Sequence, residues 1–362
     1  MSSEPLTEDQ TGQSQAALSR RRFIGAAAGT AALGALAPLD VALAGPGKQG
    51  HGKGKGHGKG HGKDHGPHGH PYDADKGDIK PENVGIQLFT VRGLMGGALD
   101  LDGTFEMLSD AGYKTVEIGG TYDGRTPSEF RQLAEDFGLK VIGSHVPGGH
   151  NAFRNNLEQV LDEAETLGLP YVGIASPAGD VPRTADGYRA MAEEFNTYGE
   201  AAKARGITFY FHNHPGDFAL DGGEPIYNVL LEETDPKLVW FEMDIAWVVA
   251  GGQDPYEYLK AAPHRFPLFH VKDLRFDPNG NRRTPGDVAH PNRPFFLTAV
   301  GKGEIDFPRI FSALPHPNRH EYLVEDDDAP DPQINPAGES NTAWVSREYL
   351  GNVKVRGRGR RR

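Results

Sequence analysis

From residue 83 onward the chain alternates between two patterns. Short, mostly apolar runs rich in Val, Ile, Phe and Tyr are spaced by longer stretches in which apolar side chains return every three to four positions. The first pattern suits a strand buried on both faces, the second an amphipathic helix. Strands are expected over residues 84–89, 115–118, 140–145, 171–175, 208–212, 239–244, 267–270 and 321–325. Helices are expected over 101–111, 127–137, 155–167, 185–205, 225–233, 254–262, 307–314 and 341–350. Gly112, Gly138 and Gly206 stand where three of them should stop, because glycine readily takes the left-handed conformation that ends a helix. Eight strands, each followed by a helical segment, predict an α/β fold, a single (β/α)8 TIM barrel over residues 81–350.

In such a barrel, chemistry collects at the C-terminal ends of the strands. Strand three ends in Ser144-His145, strand five in Phe211-His212-Asn213-His214 and strand six in Glu242-Met243-Asp244. Strand seven ends in His270-Val271-Lys272-Asp273, and strand eight in Val324-Glu325-Asp326-Asp327-Asp328. Side chains alternate along a strand, so His212 and His214 share a face, as do Glu242 and Asp244, and His270 and Lys272. Imidazoles and carboxylates meeting in one inward layer predict a divalent-metal site with Asp244, His270 and Glu325 at its centre. His212, nearer the strand, is expected as the fourth ligand, and His214 as a substrate contact. Nitrogen ligands favour Mn²⁺, Zn²⁺ or Co²⁺ over Mg²⁺. The run 326–328 is expected to be a solvated loop with Asp328 facing water.

The flanks differ in kind. Ser19-Arg20-Arg21-Arg22-Phe23-Ile24 matches the twin-arginine pattern, a mildly apolar stretch follows, and Ala42-Leu43-Ala44 offers a cleavage site. Residues 1–44 are therefore expected to be an export signal, leaving the mature protein periplasmic or extracellular and off the membrane. Residues 45–80 form a Gly/His/Lys-rich linker in which His51, His57, His61, His65, His68 and His70 recur. Too little apolar surface is present there to order the backbone. Residues 351–362 form a basic tail. The formal net charge is −12, and with the flanks set aside residues 81–353 carry −20. So acidic a body is a poor partner for nucleic acid. The chain has no cysteine, which excludes disulfides, thiolate ligands and a cysteine nucleophile.

Taken in order, Gly85-Ile86-Gln87-Leu88-Phe89-Thr90-Val91-Arg92, Phe211-His212-Asn213-His214, His270-Val271-Lys272-Asp273, Val300-Gly301-Lys302-Gly303-Glu304-Ile305-Asp306-Phe307 and Tyr322-Leu323-Val324-Glu325-Asp326 resemble the sugar phosphate isomerase/epimerase group of xylose-isomerase-like barrels. The resemblance spans roughly residues 83–350. It implies a metal held by Glu, Asp, His and Glu from strands five to eight. Asp244, His270 and Glu325 match that set, whereas His212 stands where a Glu is common. The resemblance also implies an isomerase or epimerase that removes a proton next to a carbonyl, with Glu325 as base. His145, His214 and Lys272 would donate a proton or clamp the substrate, and Gln87 would contact it. Export argues for a non-phosphorylated sugar or keto-sugar. A lyase that cleaves a keto-glycoside or polyol by β-elimination begins with the same proton abstraction. A non-catalytic sugar-binding barrel is the reading from another class, and hydrolysis of abasic DNA is disfavoured by the acidic body.

Overall fold

The computed structural model describes residues 78–277 and 295–355. The expected export signal, nearly all of the linker and residues 356–362 of the tail lie outside the described residues. Among the described residues, eight parallel strands form a nearly closed barrel with helices between them. They are β1 (Val84–Gln87), β2 (Thr115–Ile118), β3 (Lys140–Ser144), β4 (Tyr171–Ile174), β5 (Thr208–His212), β6 (Val239–Asp244), β7 (Leu268–Val271) and β8 (Glu321–Val324). Their order around the sheet is β3-β2-β1-β8-β7-β6-β5-β4, and an isolated bridge between His145 and Gly173 brings β3 against β4. The barrel expected from the sequence is the one observed.

Strand alternation explains how polar groups come to fill the barrel. On β5, Phe209 and Phe211 pack outward on Phe195 of the helix Ala185–Ala204, each with ring centroids 5.3 Å apart. Tyr210 and His212 then point inward. The Tyr210 ring fills the space beside Gly173, where a Cβ would strike it, and its hydroxyl donates to Glu117 Oε1. The helices are punctuated as their sequences demand. Thr126 and Glu129 form a reciprocal cap at the start of Pro127–Asp136, and Gly138 follows its end at φ 71°.

Several details depart from the expected pattern. β1 stops at Gln87, whose side chain accepts from Phe89 N at 3.2 Å and turns the chain into the 3-10 helix Leu88–Val91. The helix expected from residue 155 begins at Gly149, with a break at Asn156 (φ −143°, ψ 38°). An unforeseen helix, Ile245–Ala250, follows β6 directly, and a hairpin of Asp273–Phe276 with Phe295–Thr298 follows β7. Phe295 and Leu297 of that hairpin pack with Trp247 and Ala250. The loop 326–328 is not solvated: Asp326 and Asp328 are buried, and Asp328 Oδ2 accepts from Leu297 N at 3.2 Å. Docking of the hairpin against this loop removes it from water.

Candidate metal centre

The C-terminal ends of β5 to β8 bring His212, Asp244, His270 and Glu325 together. Each offers one ligand atom, and the four atoms lie within 4.8 Å of one another. Local structure aims each group. Asp244 ends β6 and caps the next helix, so Oδ1 accepts from Trp247 N at 2.9 Å while Oδ2 is left toward the site. Asn213 braces the same corner, donating to Asp244 O at 3.2 Å and accepting from Asp244 N at 3.1 Å. His270 Nδ1 lies 2.7 Å from Glu325 Oε2, and His212 Nε2 lies 3.8 Å from Asp244 Oδ2.

Lys272 crosses this group. Its Nζ lies 2.8 Å from Glu325 Oε2, 3.0 Å from Asp244 Oδ2 and 2.6 Å from Asp327 Oδ2. The bond to Asp327 has hydrogen-bond geometry, whereas the Asp244 contact is an ion pair off the hydrogen-bond line. Nζ also lies 4.4 Å from the centroid of Trp247. Burial opposes the ammonium charge, but Asp244, Asp327 and Glu325 outweigh it and raise Lys272 well above the usual lysine range. Burial drives Asp244 up to about 7 against the pull of Lys272. Burial also opposes the charge of Glu325, yet Lys272 and His270 hold that carboxyl well below its ordinary value.

The second half of the centre lies on β2, β3 and β6. Glu117 and Glu242 are wholly buried. Glu117 Oε2 accepts from Gln87 Nε2 at 2.7 Å and lies 2.6 Å from His270 Nε2. Glu242 Oε2 lies 2.8 Å from His145 Nε2, 3.0 Å from His212 Nδ1 and 3.1 Å from His270 Nε2. Burial opposes the charge of Glu242, but His270 and the bonds from His145 and His212 keep it well below the usual range. The amide of Gln87 is thus engaged inside the barrel, beside Glu117. His214 stands at the mouth, only partly buried, stacked on Trp247 at 6.2 Å with Nδ1 3.5 Å from Ser176 Oγ. Burial followed by the Lys272 charge pushes His214 down to about 3.

The residues fit a divalent cation. Ligand atoms ~2.0–2.2 Å from one ion lie within about 4.4 Å of each other, so the His212, Asp244, His270 and Glu325 set needs little movement to close. Asp244 Oδ2, the oxygen turned toward the site, is buried and makes no hydrogen bond among the described residues, its nearest cation being the Lys272 ammonium at 3.0 Å, and a buried oxygen so placed is available to a metal ion. His145, His212, Glu242 and His270 form a second grouping within the same distance limit.

A sequence profile for the xylose isomerase-like TIM barrel matches residues 105–343, most of the described barrel. The chain belongs to that family. Relatives of this xylose isomerase-like barrel include the inosose dehydratase of Clostridium perfringens, 30% identical over 45% of this chain and 54% of its own length. The alignment thus spans about half of that relative. The inosose dehydratase of Geobacillus kaustophilus is 23% identical over 71% of this chain and 88% of its own. Among solved structures, a sugar phosphate isomerase/epimerase from Parabacteroides distasonis superposes with TM-score 0.58 at 23% identity, covering 79% of this chain and 100% of its own. IolI, solved with a bound zinc atom, superposes with TM-score 0.54 at 16% identity, covering 73% of this chain and 95% of its own. These structures establish the fold alone.

The relatives correct one expectation. An isomerase or epimerase was implied by resemblance, but the two relatives aligned above are named inosose dehydratases, which favours the elimination alternative. Sequence reasoning also left Glu117 unnoticed and gave Glu242 no role. The signal was parity. With Val116 and Ile118 as the outward residues of β2, Glu117 must face the barrel, and Glu242 shares the face of Asp244.

Proposed function

We propose that this barrel is a metal-dependent lyase that removes water from a non-phosphorylated keto-polyol or keto-sugar resembling an inosose. One observation carries the reading: two imidazoles, His214 beside Trp247 and His145 held by Glu242, flank the same four candidate ligands. For His145, burial opposes the charge, but Glu117 and the bond to Glu242 raise its pKa overall. The dehydratase relatives agree with this reading. The twin-arginine pattern favours chemistry outside the cytoplasm, and with it a substrate without phosphate.

Loss of water beside a carbonyl needs a base for the C–H proton and an acid for the departing hydroxyl. We assign the base to His214, because Glu325 is committed to His270 and Lys272. His145, held through Nε2 by Glu242, presents Nδ1 to the departing hydroxyl. The hydroxyl leaves as water with the His145 proton, while the C–H proton rests on His214; exchange with solvent resets both rings. Lys272, fixed by three carboxylates, faces the negative oxygen that develops when the proton leaves. A divalent cation held by His212, Asp244, His270 and Glu325 supplies Lewis acidity toward the carbonyl oxygen; the two imidazoles favour Mn²⁺, Zn²⁺ or Co²⁺.

The test is mass analysis of purified protein incubated with a panel of inososes and keto-sugars. Loss of one water from at least one of them, abolished by chelator and restored by metal, supports the reading. Interconversion of epimers with no dehydrated product contradicts it.

A further inference from the structure

His212 and His270 each point their two ring nitrogens at different carboxylates. His212 Nδ1 lies 3.0 Å from Glu242 Oε2, and its Nε2 is the nitrogen nearer Asp244. His270 Nε2 lies 3.1 Å from Glu242 Oε2 and 2.6 Å from Glu117 Oε2, while Nδ1 lies 2.7 Å from Glu325 Oε2. One oxygen atom, Glu242 Oε2, therefore touches both candidate histidine ligands, and His145 as a third ring.

A neutral imidazole carries one N–H and one lone pair, and an ionised carboxylate only accepts. The hydrogen bond to Glu242 therefore places the N–H of His212 on Nδ1, whereas the hydrogen bonds of His270 run to Glu117 at Nε2 and Glu325 at Nδ1. The lone pair of His212 falls on Nε2, the nitrogen that faces Asp244. The two metal-ligand groupings share His212 and His270. One neutral ring serves one cation, so the two groupings are alternatives.

We infer that Glu242 is a positioning residue: it fixes the ring orientation and tautomer of His212 so that its lone pair points to the Asp244 side of the site. The grouping with His145 and Glu242 then supports the ligands and is not a second cation seat. Carboxylates that take the far N–H of a ligating histidine typically account for about 10–100-fold in metal affinity. The inference rests on the metal reading proposed above.

The experiment titrates Co²⁺ into the full-length chain, in competition with a chelator, and follows the visible absorption of the bound ion. Glu242→Gln, Asp244→Asn, Glu325→Gln and the unsubstituted protein are compared, with metal-free thermal unfolding as the control for folding. The histidine-rich linker contributes the same background to all four. Glu242→Gln should keep the wild-type stoichiometry, bind Co²⁺ about 10–100-fold more weakly and show a shifted spectrum. Asp244→Asn and Glu325→Gln should lose the signal. A role confined to folding would move the unfolding temperature and leave the spectrum alone, which overturns the inference. Unchanged affinity in Glu242→Gln overturns it too, with the metal reading intact. Loss of the signal from Glu242→Gln but not from Asp244→Asn or Glu325→Gln would move the cation to the His145 and Glu242 grouping. No Co²⁺ signal in the unsubstituted protein above the linker background would remove the metal reading itself. If Glu242→Gln fails to fold, Glu242→Asp replaces it, with weaker but stoichiometric binding expected and wild-type affinity contradicting the proposal.

Discussion

His270 Nδ1 lies 2.7 Å from Glu325 Oε2, across two neighbouring strands of the barrel. Both side chains are buried. A cation between them would bind one lone pair from each residue. His270→Ala and Glu325→Gln should therefore reduce bound metal to background when dialysed protein is analysed by plasma emission. Asp328→Ala gives the contrast. It removes the acceptor of Leu297 N, which costs about 1–3 kcal/mol of stability and should leave the metal in place. Equal metal loss from all three variants would contradict the ligand assignment.

A second prediction lies away from the site. Glu194 accepts from Arg154 Nε at 2.8 Å and Tyr198 Oη at 3.0 Å, and lies 2.7 Å from His150 Nε2. His150 Nδ1 accepts from Ala178 N at 3.2 Å, so its proton lies on Nε2 and points at Glu194. Burial raises the Glu194 carboxyl, but the bonds from Arg154, Tyr198 and His150 outweigh it and lower the pKa from 4.5 to about 2. The unfolded chain therefore takes up this proton first. The stabilisation is complete above pH 4.5 and is lost as pH falls toward 2. Glu194→Gln should be less stable than wild type at neutral pH and lose less stability on acidification. Urea unfolding over the acid range measures this; parallel profiles for the two proteins would refute it.

Much of this architecture was legible in the sequence. β2, β5 and β6 span the residues expected of them, because each apolar run begins just after turn-forming residues, Gly112, Gly206 and Asp235-Pro236. The grouping of His212, Asp244, His270 and Glu325 was legible because these residues end strands, where a barrel gathers its chemistry. Glu117 was harder to read, since an acidic residue inside a short apolar strand resembles a solvent-facing position. The burial of Asp328 depends on a hairpin whose two strands are distant in sequence, and no local pattern announces that contact. The reaction was the least legible feature. Proton removal beside a carbonyl is shared by epimerases and dehydratases, so the ligand set alone does not separate them.

The export proposal rests on residues outside the described structure. Arg20→Lys combined with Arg21→Lys should leave the protein unprocessed in the cytoplasm, whereas the native chain should be recovered outside it with an N-terminus at or near Gly45. Cell fractionation with N-terminal sequencing decides the matter, and normal processing of the double variant would refute it.

The central claim is that water leaves from this site through two different imidazoles. The most direct measurement follows the reaction by NMR in D₂O with a keto-polyol that the wild-type protein dehydrates. His145→Ala should still exchange the proton next to the carbonyl for deuterium, because His214 is intact, but should form dehydrated product far more slowly. His214→Ala should lose both exchange and product. Dehydration by His145→Ala at the wild-type rate, or undiminished exchange in His214→Ala, would contradict the account.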